Sequence, residues 1–160
     1  MAYNPSNTLT FGSDGAPHQL WGILNLGCPD TRNWFNENIA SIEAAIAAGH
    51  LQAHWQFWSK QKVALVKGGI ANSYITYAHP DDAWVFVKAV FANQDALNAA
   101  EDVPSYLEAT YHVQRHPQAE LIDAQVAEAV VAAGITSVPT ITYDGQAYFD
   151  DSLAEMPVID

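Results

Sequence analysis

One short segment holds residue types that could do chemistry: Gly27-Cys28-Pro29-Asp30-Thr31. Cys28 is the only cysteine among 160 residues, so no disulfide can form within the chain. Pro29 suits the first position of a helix, where its missing N–H costs nothing. Cys28 then becomes the residue that caps that helix. A sulfur there lies beside unpaired backbone N–H groups and the positive end of the helix dipole. Such a setting favours a thiolate over a thiol. Thr31, three residues on, can offer its hydroxyl as a hydrogen-bond donor to the sulfur. Asp30 works against the thiolate, because neighbouring negative charges repel. The competing reading makes Cys28 a small buried hydrophobe, a common fate for a free cysteine.

A second segment, Thr136-Ser137-Val138-Pro139-Thr140, sets a proline after a β-branched residue at the entrance to a strand. That pattern fits a cis X-Pro turn, since cis costs only about 0.5–1 kcal/mol at such bonds. The remaining candidates favour plainer readings. His112 and His116, and likewise His50 and His54, have metal-ligand spacing. The first pair has no carboxylate partner pattern and stands beside Pro117, so both pairs read as solvated histidines and no metal site is expected. Trp55, Phe57 and Trp58 read as core and cross-strand packing. Asp81-Asp82 reads as a helix N-terminal charge pair and Asp150-Asp151 as a solvated turn. Neither pair has the protected setting that acid–base catalysis needs.

Six Lys and Arg against 18 Asp and Glu give a formal charge of -12 and a pI near 4.6. A surface that acidic repels phosphate backbones and anionic lipid, which argues against nucleic-acid and membrane partners. The first eight residues have no basic region and no apolar core of signal-peptide type. The most apolar helical stretch, residues 126–133, is interrupted by Glu128 and too short to span a bilayer. The expectation is a soluble, cytoplasmic protein, and one free thiol suits a reducing compartment.

The elements that must position these residues follow from periodicity. Residues 8–11 read as a short edge strand, and 19–26 as a strand buried on both faces. Residues 29–48 read as a helix, with Trp34, Phe35, Ile39, Ile42 and Ile46 at helical intervals and Gly49 at its end. Residues 51–58 alternate as a further strand, which completes a βαβ unit. Residues 60–80 read as a loop or partly helical connection, because Gly68-Gly69 interrupts them. A helix over 83–92 is apolar nearly all round and expected to be buried. Short helices follow at 93–100 and 104–112. Residues 118–133 read as an amphipathic helix with Leu121, Ile122, Val126, Ala129, Val130 and Ala133 on one side. A hairpin about Asp144-Gly145 closes the chain, with strands at 140–143 and 146–149.

This order and spacing resemble the thioredoxin superfamily, most closely its DsbA-like branch. The pieces that carry the resemblance are residues 24–35 around Cys28-Pro29-Asp30-Thr31, the helical stretch near 63–116, and Ser137-Val138-Pro139-Thr140-Ile141. It implies an α/β thioredoxin-like fold with an inserted all-helical subdomain, in a single domain over residues 1–160. It also implies a shallow groove in which Cys28 faces Pro139. Cys28 and Thr31 would be the catalytic residues, and Pro29, Asp30, Val138, Pro139 and Thr140 would contact substrate. The family's second cysteine is replaced here by Thr31, its buried acid six positions before the nucleophile by Gly22, and the histidine before the second cysteine by Asp30. The expected C-terminal helix is nearly absent. An internal dithiol cycle therefore cannot run. What the resemblance leaves is single-thiol exchange through a mixed disulfide with a protein, peptide or small thiol, with no cofactor beyond glutathione as a co-substrate. Two alternatives stay open: a glutathione-dependent transferase or isomerase of kappa-class type, and a redox-silent groove that binds an extended peptide.

Overall fold

Strand β1 spans Leu9–Phe11, β2 His18–Leu24 and β3 Leu51–Phe57, and helix α1, Pro29–Ala47, connects β2 to β3. These elements belong to a computed structural model that describes residues 3–160. β2 and β3 run parallel, with His18 opposite Leu51 and Leu24 opposite Phe57, so a crossover such as α1 is required between them. β4, Thr140–Tyr143, and β5, Gln146–Phe149, form a hairpin, and β4 lies antiparallel against β2. Asp144 and Gly145 take φ of 47° and 87°, the pair of left-handed residues that a tight hairpin turn needs. The sheet order is β1-β3-β2-β4-β5. β2 and β3 are therefore interior strands, and in β3 even the alternating polar residues Gln52, His54 and Gln56 are buried.

Between β3 and the hairpin lie α2 (Val66–Asn72), α3 (Pro80–Ala92), α4 (Gln94–Ala99), α5 (Val103–Tyr111) and α6 (Ala119–Ala132), with a 3-10 turn at Val63–Leu65 before α2. The sheet is mixed and flanked by helices, an α/β arrangement. An aromatic layer joins α1 and α3 to one sheet face. Trp84 of α3 packs 5.4 Å from Trp55, 5.6 Å from Phe35 and 5.1 Å from Phe11. On the other side, α6 is tied to the chain before β1 and after β3, where Asn7 donates to Gln125 and Ser59 to Asp123. Among the described residues no helix is long and apolar enough to cross a membrane.

The connection over 60–80, expected as a loop or partly helical, is partly helical, and two details in α3 and α6 differ from the periodicity reading. Residues 66–72 are helical although they contain Gly68-Gly69. Those glycines read as helix breakers, but Gly68 serves a close approach of two backbones instead. α3 is buried on one side only, with Val85 69% exposed. In α6 the buried residues are Ala119, Ile122, Val126 and Val130, while Leu121 is 53% exposed. In both helices an apolar residue was assigned to the packed side when no neighbouring element covers it. After β5 comes a short 3-10 stretch, Asp150–Glu155, followed by five residues without helix or strand.

Candidate active site

β2 ends at Leu24, the chain turns through Asn25, Leu26 and Gly27, and α1 begins at Pro29. Cys28 is the N-cap, with extended backbone angles of φ -79° and ψ 120°. Its sulfur makes no capping bond to the helix. Sγ instead donates to the carbonyl of Val138 at 3.7 Å, and the side chain is only 6% exposed. The helix start therefore orients the cysteine, but the sulfur is turned towards the proline loop. The Val138–Pro139 peptide bond is cis.

The substrate-contact candidates divide into two groups. Asp30, Val138 and Pro139 line one cavity of about 780 Å³ whose lining does not include Cys28, and Pro29 is exposed at the start of α1. Thr140 does not face this space: it is buried, and its hydroxyl donates to Ser137 O at 2.6 Å within the loop. Thr31 is fully buried and its Oγ1 has no hydrogen-bond partner. The expected Thr31–sulfur hydrogen bond is thus absent, because Sγ has turned to Val138. The cavity's other wall comes from Trp34 and from Leu153, Met156 and Ile159 near the C-terminus. Carboxylates of Asp30, Glu37, Asp150 and Asp151 also line it, with no Lys or Arg among the described lining residues.

The position of the family's missing acid has a packing explanation. Gly22 lies opposite Trp55 in the β2–β3 register. A Cβ on Gly22 would come within 2.5 Å of Trp55 Cζ3, and Trp55 is fully buried. The indole occupies the space that a side chain at position 22 would need.

Sequence reasoning missed the amide cage around residues 25–28. Asn25 Oδ1 accepts from Gly27 N at 2.9 Å, and Asn72 Oδ1 accepts from Leu26 N at 3.3 Å. Gln94 Nε2 donates to both Leu26 O and Cys28 O, and Asn98 Nδ2 donates to Gly27 O. Gly68 completes the cage, since a Cβ there would lie 2.5 Å from Gly27 N. One signal was available in the sequence: Gln94 and Asn98 are four apart, which puts both on one face of a helix. Their partner loop could not be read from that spacing.

A thiol at the start of the first helix, in contact with a cis-proline loop at the entry to β4, on a mixed sheet with helices inserted after β3, defines a thioredoxin-type protein with a DsbA-like arrangement. A family model described as thioredoxin matches residues 4–157. The chain belongs to the thioredoxin family. It is similar to a conserved protein of unknown function from Enterococcus faecalis V583, at 30% identity and TM-score 0.82 over 93% of this chain and 85% of that one. It is also similar to oxidised BdbD from Bacillus subtilis, at 17% identity and TM-score 0.68 over 92% of this chain and 89% of that one. MdbA, a thiol-disulfide oxidoreductase from Corynebacterium diphtheriae, matches at 11% identity and TM-score 0.62 over 87% of this chain and 80% of that one. A comparison with curated proteins finds no match. The single cysteine sets this chain apart from a dithiol cycle.

Proposed function

We propose that the protein carries out thiol–disulfide exchange through Cys28 alone. The thiolate of Cys28 attacks one sulfur of a disulfide, forming a mixed disulfide and releasing the other sulfur as a thiolate. A thiol from outside the chain then attacks the mixed disulfide, restores the Cys28 thiolate and leaves as a new disulfide. No net oxidation of the protein is needed. The observation that carries this reading is the placement of Sγ against the carbonyl of Val138, a residue that lines a cavity together with Asp30 and Pro139. Asp30 and Pro139 would border the substrate, and Thr31 would support the helix start from below. A reducing compartment such as the cytoplasm fits a reaction that needs external thiols. The four lining carboxylates favour a neutral or cationic disulfide over oxidised glutathione, because like charges raise the free energy of encounter.

The test is incubation with cystamine and with oxidised glutathione, followed by intact-mass measurement. One adduct per chain is expected, forming faster with cystamine, and Cys28→Ser should form none. Failure of both reagents to modify the folded wild type overturns the exchange reading. If the same protein then binds extended peptides, the redox-silent groove takes its place.

A further inference from the structure

Gln94 sits in α4, 66 residues from Cys28 in sequence, and is 1% exposed. Its Nε2 donates to Leu26 O at 2.9 Å and to Cys28 O at 3.0 Å. The same Cys28 carbonyl accepts the first helical hydrogen bond, from Arg32 N at 3.0 Å. Gln94 Oε1 is buried without a hydrogen-bond partner. A buried amide oxygen left unpaired lowers stability, so stability alone is a poor account of this side chain. An apolar residue of the same shape would avoid that penalty at the expense of two carbonyl contacts. One contact falls on the Leu26–Gly27 peptide group and the other on the Cys28–Pro29 peptide group, so together they bracket Gly27 and Cys28.

We propose that Gln94 is a positioning residue for thiol exchange: it clamps the Leu26 and Cys28 carbonyls and thereby holds Sγ on the line from the helix start to the Val138 loop. This rests on the exchange reading above. Both reactions are in-line displacements, but the bulkier disulfide has fewer open directions of approach to a cysteine that is 6% exposed than iodoacetamide has, so it depends more on where Sγ is held. Loss of the clamp should therefore slow exchange more than alkylation. Asn98 holds the Gly27 carbonyl and Asn72 the Leu26 N–H, but neither reaches the Cys28 carbonyl, the acceptor of the first helical hydrogen bond.

The experiment measures second-order rates at Cys28 with hydroxyethyl disulfide, which is neutral, and with iodoacetamide. Wild type is compared with Gln94→Met and with Leu97→Ala, a buried apolar truncation in the same helix. Gln94→Met should slow exchange about tenfold and alkylation by no more than about threefold, the expected signature of lost orientation. Leu97→Ala should lower the urea midpoint yet leave the exchange rate of the folded protein within about twofold of wild type. Equal rates for wild type and folded Gln94→Met overturn the proposal, as does equal slowing by Leu97→Ala. Should Gln94→Met not fold, Gln94→Glu keeps the shape but donates only while protonated. Its ratio of exchange to alkylation rate should fall as pH rises, and a ratio that tracks wild type overturns the proposal. A wild type that does not react with the disulfide defeats the exchange reading instead, and the two failures are distinct.

Discussion

Adding one methyl group at Gly22 tests the account of the missing acid. In a strand interior, Gly→Ala ordinarily stabilises by roughly 0.5–1 kcal/mol, because alanine loses less backbone freedom on folding. Here the added Cβ would lie 2.5 Å from Trp55 Cζ3, against a normal carbon–carbon separation of about 3.5–4.0 Å. The indole must therefore move by about 1 Å. It has nowhere to go, because Trp84 stacks 5.4 Å away on one side and Trp34 lies 6.2 Å away on another. Overpacking of a rigid core side chain costs about 1–3 kcal/mol, and this site belongs at the upper end. Gly22→Ala should thus destabilise by about 2–3 kcal/mol, opposite in sign to the strand average. In a Trp55→Leu background the methyl enters vacated volume, so the same substitution should cost less than about 1 kcal/mol. The resulting coupling is about 2 kcal/mol. Urea unfolding of the four proteins, followed by far-UV circular dichroism, measures it. If Gly22→Ala is neutral or stabilising in the wild-type background, the indole does not fill that space. The packing explanation then fails.

Oxidised Thr31→Cys should lose both free thiols in a thiol titration under denaturing conditions, because residues three apart at a helix start fall within the roughly 4.4–6.8 Å Cα range that a disulfide spans. Two titratable thiols after oxidation would mean the side chains diverge. Stability should also depend on pH through His54, whose pKa is lowered chiefly by burial, with Asp14 opposing. The ring lies between Thr10 Oγ1 and Gln19 Oε1 and stacks 4.2 Å from Trp21. The unfolded state takes up the proton near 6.5 while the folded state still excludes it. Stability from this group is therefore complete above 6.5 and declines as pH falls towards the lower folded value. Urea midpoints across that window should show this slope for wild type, and His54→Gln should flatten it; equal slopes would refute the assignment.

Much of the site was legible because its signals are local. Cys28-Pro29 marks the strand-to-helix junction through proline's missing N–H, and Asp144-Gly145 marks the hairpin through its left-handed backbone. Gly68-Gly69 shows where local reasoning stops. Glycine weakens a helix by default, yet α2 runs through Gly68, whose backbone lies too close to Gly27 for any side chain. Val85 and Leu121 show the same limit in reverse, since burial of an apolar residue depends on which element covers it.

The sequence by itself determined that one thiol stands at a helix start, that its partner position holds a threonine, and that no internal disulfide can form. It thereby limited any redox chemistry to exchange with another molecule. Only the tertiary structure decided which way the sulfur points, what surrounds it and why Gly22 bears no acid. Sγ meets the carbonyl of a residue 110 positions away, and the clamp on Cys28 comes from a helix inserted after β3. The register of Trp55 over Gly22 joins two strands separated by α1. Covalent spacing carries information over a few residues, whereas these contacts arise when distant segments exclude water together and their polar groups must find partners inside.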